Sequence, residues 1–346
     1  MAQINKPDEY FNTVLYTGNG STQSITGVGF QPDFLWFKNR DETQWHQIYD
    51  VIRGIGSTSY YLSSNTTNGE NSTTNSLTGV SSDGFSLGNN TGVNGSADNI
   101  VAWNWLADNT SGSSNTDGSI TSTVSANTTS GFSIVSYTGN LTSGATVGHG
   151  LDSAPKMVIV KNRSITEDWF VLHTSASATA GSYLKLNLTD AVSSGNSIVF
   201  NNTNPTSTVF TVGSVNGTNG SGNNMIAYCF ADVKGFSKFG SYTGNGNADG
   251  TFIYTGFKPA FVLIKANASA DWYLIDNKRS TFNVMEASLK ANTSDAESTT
   301  IQDMDFLSNG FKPRSTSGST NGSGTTYIYM AFAEEPLVGD NPATAR

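Results

Sequence analysis

Few residues of this 346-residue chain are of types that carry out chemistry, so their spacing decides what each could do. Gly84-Phe85-Ser86-Leu87-Gly88 has the form of a nucleophile elbow, in which a strained strand-to-helix turn presents the serine hydroxyl. The residues that follow, Asn89-Asn90-Thr91-Gly92, do not open a helix, and Phe85 and Leu87 alternate with Ser86 as in a strand. Ser86 therefore reads as an ordinary strand residue. His46, His149 and His173 have no partner at the i, i+4 spacing of a metal or acid-base site, and read as surface or strand-end residues. Asp108, Asn109, Asn115 and Asp117 could gather oxygens around calcium, but they lack the closing bidentate glutamate of an ordered loop and read as a solvated segment. Cys229 is the only cysteine, which excludes an internal disulfide and a multi-cysteine zinc site. Asp50 and Arg53, and again Asp276 and Arg279, share an Asp-x-x-Arg spacing. A surface ion pair at a strand end is expected, worth about 0–1 kcal/mol; the alternative is an arginine turned toward a ligand. No catalytic, cofactor-binding or metal-ligating set emerges, and no cofactor is expected.

The elements that carry these residues are set by an internal triplication. Tyr-Thr-Gly-Asn begins at Tyr16, Tyr137 and Tyr242, five or six residues after Phe11, Phe132 and Phe236. Each copy continues with an apolar run from proline to lysine, at Pro32–Lys38, Pro155–Lys161 and Pro259–Lys265. Trp45, Trp169 and Trp272 open the next apolar segment, followed by Leu-x-x-Asn at Leu62/Asn65, Leu184/Asn187 and Leu289/Asn292. Asn-Gly-Ser at Asn94, Asn219 and Asn321 precedes a last strand bearing Trp105, Phe230 and Phe332. That strand alternates with a period of two, as a half-buried antiparallel strand does, whereas the proline-to-lysine run is apolar on both faces. No amphipathic pattern of helical length competes.

The fold expected is all-β, with three tandem antiparallel β-sandwich repeats of about 100 residues each. Residues 1–7 form an N-terminal segment, 8–108, 129–234 and 235–337 the three repeats, and 338–346 a C-terminal tail. Residues 109–128, rich in Ser, Thr, Asn and Gly, read as a flexible linker, so repeats two and three should be held closer together than one and two.

Composition agrees with strands and turns: Ser 45, Thr 42, Asn 36 and Gly 36 leave little room for helix formers. A net charge of −9 argues against a nucleic-acid partner. No apolar stretch approaches a membrane span, and the start of the chain has no apolar signal region, so the chain is expected in the cytoplasm of the cell that makes it. Trp45, Trp169, Trp272, Trp103 and Trp105 fall at repeat landmarks and are expected in the core. Trp36, Tyr60 and Tyr61 are less constrained, and are the candidates for a surface aromatic platform.

These landmarks resemble a repeat family of uncharacterised virion proteins of tailed bacteriophages, common in marine phages and described as tail-fibre or tail-associated. The resemblance rests on Asn5-Lys6-Pro7 before Tyr10-Phe11-Asn12-Thr13, Val28-Gly29-Phe30-Gln31-Pro32-Asp33, Lys38-Asn39-Arg40, Lys161-Asn162-Arg163, Lys234-Gly235-Phe236 and Ala331-Phe332-Ala333-Glu334-Glu335-Pro336. It covers nearly the whole chain; the third copy departs at Lys265-Ala266-Asn267, where the other two have Lys-Asn-Arg. It implies a non-enzymatic virion structural protein, a homo-oligomer with other virion proteins and a host envelope glycan or protein as partners. Alternatives are a capsid decoration or head-fibre protein and, in another class, a tail polysaccharide depolymerase with paired carboxylates. A secreted adhesin is disfavoured by the absent export signal.

Overall fold

A computed structural model describes residues 3–300, 303–339 and 342–343. The fold is all-β, built of several antiparallel sheets. Three large sheets each draw on one third of the sequence and share one strand order. In the first the order is Phe11–Thr17, Asn99–Trp105, Phe34–Asn39, Gln47–Asp50. In the third it is Ser237–Thr243, Thr326–Pro336, Phe257–Ala266, Trp272–Asp276, Leu289–Lys290. In the second it is Phe132–Thr138, Asn224–Phe230, Met157–Asn162, Trp169–His173, Tyr183–Lys185, extended at its outer edge by Ser122–Asn127 and Ser113–Asn115. Those two added strands correct the expectation of a flexible linker. Ser122–Asn127 pairs with Phe132–Thr138 over six residues, and Val124 is buried with that segment's core. A β-branched residue and a free sheet edge outweigh a composition rich in turn formers.

Each large sheet faces two cores. One face packs on smaller strands of its own segment: Leu35, Phe37, Phe85 and Leu87 in the first, Val158, Val160, Phe210 and Val212 in the second, Val262, Ile264, Phe306 and Phe311 in the third. The opposite faces of all three sheets meet in one shared core, filled by Trp103 and Trp105, Tyr228 and Phe230, Met330 and Phe332 and their neighbours. The last strand of each segment is thus buried on both faces rather than half-buried. Its period of two sorts side chains between cores: Ile100 and Ala102 enter the first segment's own core while Val101, Trp103 and Trp105 enter the shared one. Trp105, Phe230 and Phe332 close a triangle at the centre, with ring centroids 6.5, 6.1 and 5.6 Å apart. Nor is the N-terminal segment a free tail, since Ile4 is buried in the shared core and its amide donates to the Lys234 carbonyl. In the C-terminal tail, residues 340–341 and 344–346 lie outside the described residues.

The recurring tetrapeptide and Asn-Gly-Ser are two halves of one joint. The Tyr16, Tyr137 and Tyr242 hydroxyls donate to the carbonyls of Val93, Thr218 and Thr320, each one residue before the landmark asparagine. Asn94, Asn219 and Asn321 are fully buried; their Oδ1 atoms accept from the amides of Asn19, Asn140 and Asn245, and their Nδ2 atoms donate to loop carbonyls. The glycine of the tetrapeptide is required by proximity: a Cβ on Gly139 would come within 2.3 Å of the Gly220 carbonyl oxygen. Replacing Asn219 by alanine leaves the Asn140 amide and the Thr142 and Gly213 carbonyls without that partner. Asn219→Ala is expected to cost about 1–3 kcal/mol, read as a lower denaturant midpoint in equilibrium unfolding.

Candidate functional site

The residues of chemical interest converge on the seams between the three segments, and the seams follow one another cyclically. Gln47–Asp50, Trp169–His173 and Trp272–Asp276 occupy equivalent places, pairing with the proline-to-lysine strand so that Asp50 lies opposite Phe34, His173 opposite Met157 and Asp276 opposite Phe261. Each of these residues reaches the last strand of the next segment. The Tyr228 hydroxyl donates to Asp50 Oδ2 at 2.8 Å, and Trp103 Nε1 donates to Asp276 Oδ2 at 3.0 Å. At the seam between the second and third segments, His173 Nε2 donates to the Tyr329 carbonyl at 3.1 Å.

Both Asp-x-x-Arg pairs are buried, which corrects the surface reading as well as the ligand-facing one. Arg53 Nε lies 2.5 Å from Asp50 Oδ2 and Arg279 Nε 2.6 Å from Asp276 Oδ2, with all four side chains at zero exposure. Beyond each pair stands a glutamate gripped by an arginine of the neighbouring segment. Arg163 donates through Nε and Nη2 to both oxygens of Glu70 at 2.8 Å, and Arg40 likewise to both oxygens of Glu297 at 2.9 and 2.6 Å. Two parallel hydrogen bonds fix a guanidinium against a carboxylate in angle as well as distance. The third seam keeps the backbone bond and drops the charges. The amides of Glu70, Glu297 and Val192 donate to the carbonyls of Arg163, Arg40 and Asn267, so Val192 stands where the others have glutamate, and Asn267 Nδ2 donates to the Ala176 carbonyl. The two departures from the repeat, a second segment without Asp-x-x-Arg and a third without Lys-Asn-Arg, are the two sides of one seam. Removing one alone would leave a buried charge uncompensated, at a cost of about 3–5 kcal/mol.

Lys38, Lys161 and Lys265, which end the apolar runs, are fully buried on carbonyl oxygens. Lys161 and Lys265 also reach back to Thr67 and Thr189 of the preceding segment. Burial draws all three ammonium groups down to about 8, against the pull of nearby carboxylates.

One tryptophan assignment is reversed by a one-residue shift. His46, not Trp45, occupies the place of Trp169 and Trp272: the Asn65, Asn187 and Asn292 side chains accept from the amides of His46, Trp169 and Trp272. His46 Nε2 bonds the Lys290 carbonyl as Trp169 Nε1 bonds Ser63 and Trp272 Nε1 bonds Lys185, each in the segment before. Trp45 is left 49% exposed where the other copies have Asp168 and Asp271. The signal was in the spacing to the seam residue, since His46 precedes Asp50 by four residues as Trp169 precedes His173 and Trp272 precedes Asp276. An imidazole fills less volume than an indole, and Trp36 takes up the difference: it is 1% exposed and donates from Nε1 to His46 Nδ1 at 2.8 Å. Its counterparts are Ile159 and Leu263. Trp36 is therefore a core residue and not part of a surface platform. Of the other two candidates, Tyr60 is exposed and Tyr61 is half-buried with its ring 5.8 Å from Tyr49.

Ser86 lies in the Gly84–Leu87 strand opposite Ser24, and their hydroxyls are 3.3 Å apart. Asp108 accepts from Thr110 and Ser125, and Asn115 donates to Asp117; among the described residues no group of three or more His, Cys, Asp or Glu is placed to hold a metal. Cys229 is buried, its thiol pushed up by burial. All three histidines are buried rather than at the surface. Among the described residues no helix is long and apolar enough to cross a membrane.

The seams and the triplicated joint run through almost the entire chain, and so does its family match. The family described as a domain of unknown function, DUF7483, covers residues 6–336. The chain belongs to it. No curated protein matches the chain. In this DUF7483 chain the unit matched is thus the closed set of three segments rather than any one of them.

Two measurements test the seams. Trp36→Leu and His46→Trp should each destabilise, the first by a cavity and the second by overpacking and by removing the acceptor for Trp36 Nε1. Together they should recover much of the loss, because they recreate the pairing of Leu263 with Trp272. A double-mutant cycle in denaturant is expected to show coupling of about 1–3 kcal/mol, and additive losses would contradict the exchange. The second measurement is pH. In His46 and His173 the Nε2 atom donates to a carbonyl while Nδ1 accepts, from Trp36 and from the Ser175 amide, so both rings are neutral. Burial lowers them to about 3 and about 4 from 6.5. The unfolded chain then binds more protons than the folded one between about 4 and 6.5, and stability falls as pH drops through that window. Asp33, lifted by burial to about 6, works in the opposite direction on a single site. The melting temperature is expected to fall between pH 7 and pH 4.5, and to fall less in His173→Gln, whose amide donates to the same carbonyl without titrating.

Proposed function

We propose that this chain is a structural protein of a tailed-bacteriophage virion, a tail-fibre or tail-associated component built of three tandem β-sandwich repeats that contacts the host surface. The observation that carries the proposal is where the reactive groups are. The histidines, the cysteine, both Asp-x-x-Arg pairs and the repeat lysines are buried, most of them bonded along the seams, which leaves them to position one segment against the next. What faces solvent is loops rich in Asn, Ser, Thr and Gly on a rigid frame, the arrangement in which loops vary and make contacts while the scaffold holds still. That division of labour supports a non-catalytic role. The acidic surface favours partners other than nucleic acid, namely further virion proteins, copies of the same chain, and a glycan or protein of the host envelope.

The test is a cryo-electron microscopy map of the intact particle in which this sequence is traced. The expected result is a position on the tail with loops turned outward. A position on the capsid, or burial among tail subunits, would overturn the host-contact part of the proposal, and absence from the particle would overturn all of it.

A further inference from the structure

We propose that the third segment carries a binding site for an acidic saccharide, centred on Tyr254 and Phe252; the inference rests on the host-contact reading above. It begins from a comparison within the molecule. Ile25, Val147 and Ile253 hold one equivalent place, opposite Phe85, Phe210 and Phe311, and all three point into their segment's own core. Residues on either side of such a position face outward, because side chains alternate along a strand. In the first segment they are Ser24 and Thr26, in the second Thr146 and Gly148, and in the third Phe252 and Tyr254. The third pair is 44% and 58% exposed. Two outward aromatics add nothing to the fold that serine and threonine do not supply, and they forfeit the gain of burying apolar surface.

The surroundings leave the rings open. Gly310, which lies opposite Tyr254 across the pair of strands, has no side chain to cover either ring, and its glycine is required by the Ile253 carbonyl oxygen, 2.0 Å from where a Cβ would stand, as Gly84 is by Ile25 in the first segment. Tyr254 also walls a cleft of about 530 Å³, together with Asp232, Lys234, Lys238, Thr255 and Val338. That volume is in the range of about 300–1,000 Å³ common to small-molecule sites. Lys238 is paired with Asp232 at 2.9 Å, so Lys234 gives the cleft a positive excess in a chain whose net charge is −9. Aromatic ring faces beside fixed hydrogen-bonding groups suit a sugar, whose C–H face stacks on the ring while its hydroxyls bond the polar rim. The unmatched cation selects a sugar bearing a carboxylate.

The full chain is titrated calorimetrically with trigalacturonate as the acidic probe and maltotriose as the neutral one. Trigalacturonate is expected to bind, to weaken with salt, and to lose more than tenfold in affinity in Phe252→Ser/Tyr254→Thr, which gives the third segment the outward face of the first. Lys234→Gln should narrow the preference for the acidic probe. Melting temperatures should be unchanged, since all three side chains are exposed. Binding of neither probe, or trigalacturonate binding unaffected by the double substitution, would overturn the site; equal binding of both probes would overturn its acidic selectivity. The outcomes separate from those of the particle map. A chain on the tail that binds neither probe loses this site alone, whereas a chain absent from the particle that binds through Tyr254 loses the virion role and keeps the site.

Discussion

Three sheets that each bury a second face against the others are the constraint from which the rest of the structure follows. A sheet in a two-layer arrangement has one wet side, and its strands can afford polar residues at every other position. Here the large sheets have no wet side over most of their width. The last strand of each segment is therefore apolar over most of its length, with small residues such as Ala102, Ala227 and Ala331 inward to a local core and Trp105, Phe230 and Phe332 outward to the common one, and the buried Asn104 donates to the Asn12 and Ala102 carbonyls. In this shared core the Trp103 indole and the Tyr228 hydroxyl find buried acceptors in Asp276 and Asp50. A buried aspartate in turn needs a cation, which explains Arg279 and Arg53.

The three seams show how such a network is kept or discarded. Where the last strand offers a donor, the full chain of aspartate, arginine, glutamate and neighbouring arginine is present. Where it offers Met330, the acid is replaced by His173, the glutamate by Val192 and the distal arginine by Asn267. Buried ion networks contribute little net stability compared with well-packed apolar groups, but partial ones are costly. That asymmetry favours two states, all or none, and both occur within a single chain. The backbone hydrogen bonds that stitch the seams are common to all three, so the geometry of closure does not depend on the charges. The first and second segments, joined by the longest connection, are held by the full network.

Much of this was legible from residue spacing. The triplication, the all-β class and the burial of Trp103, Trp105, Trp169 and Trp272 follow from landmarks whose physical meaning is local: a tetrapeptide that must hold a tyrosine donor, a glycine without a Cβ and a turn, and an asparagine that satisfies it. The Trp45 assignment failed because an indole is more conspicuous than a spacing of four to the seam residue, and because Trp36 and His46 exchange volume across neighbouring strands that no single position reveals. The linker strand was hidden for a related reason. Ser122–Asn127 has the composition of a loop, and becomes a strand only because Phe132–Thr138 presents an open edge beside it.

By itself the sequence determined the local units: which runs are strands, where the turns lie, and that one pattern occurs three times, since these depend on periodicity and on groups a few residues apart. Only the tertiary structure decided that the three copies close around a common core, because the apolar second face of a strand looks the same whether it meets strands of its own segment or two neighbours. The same holds for the charged residues. Asp50 and Tyr228 are 178 positions apart, Trp103 and Asp276 are 173 apart, and their pairing exists only once the ring has closed.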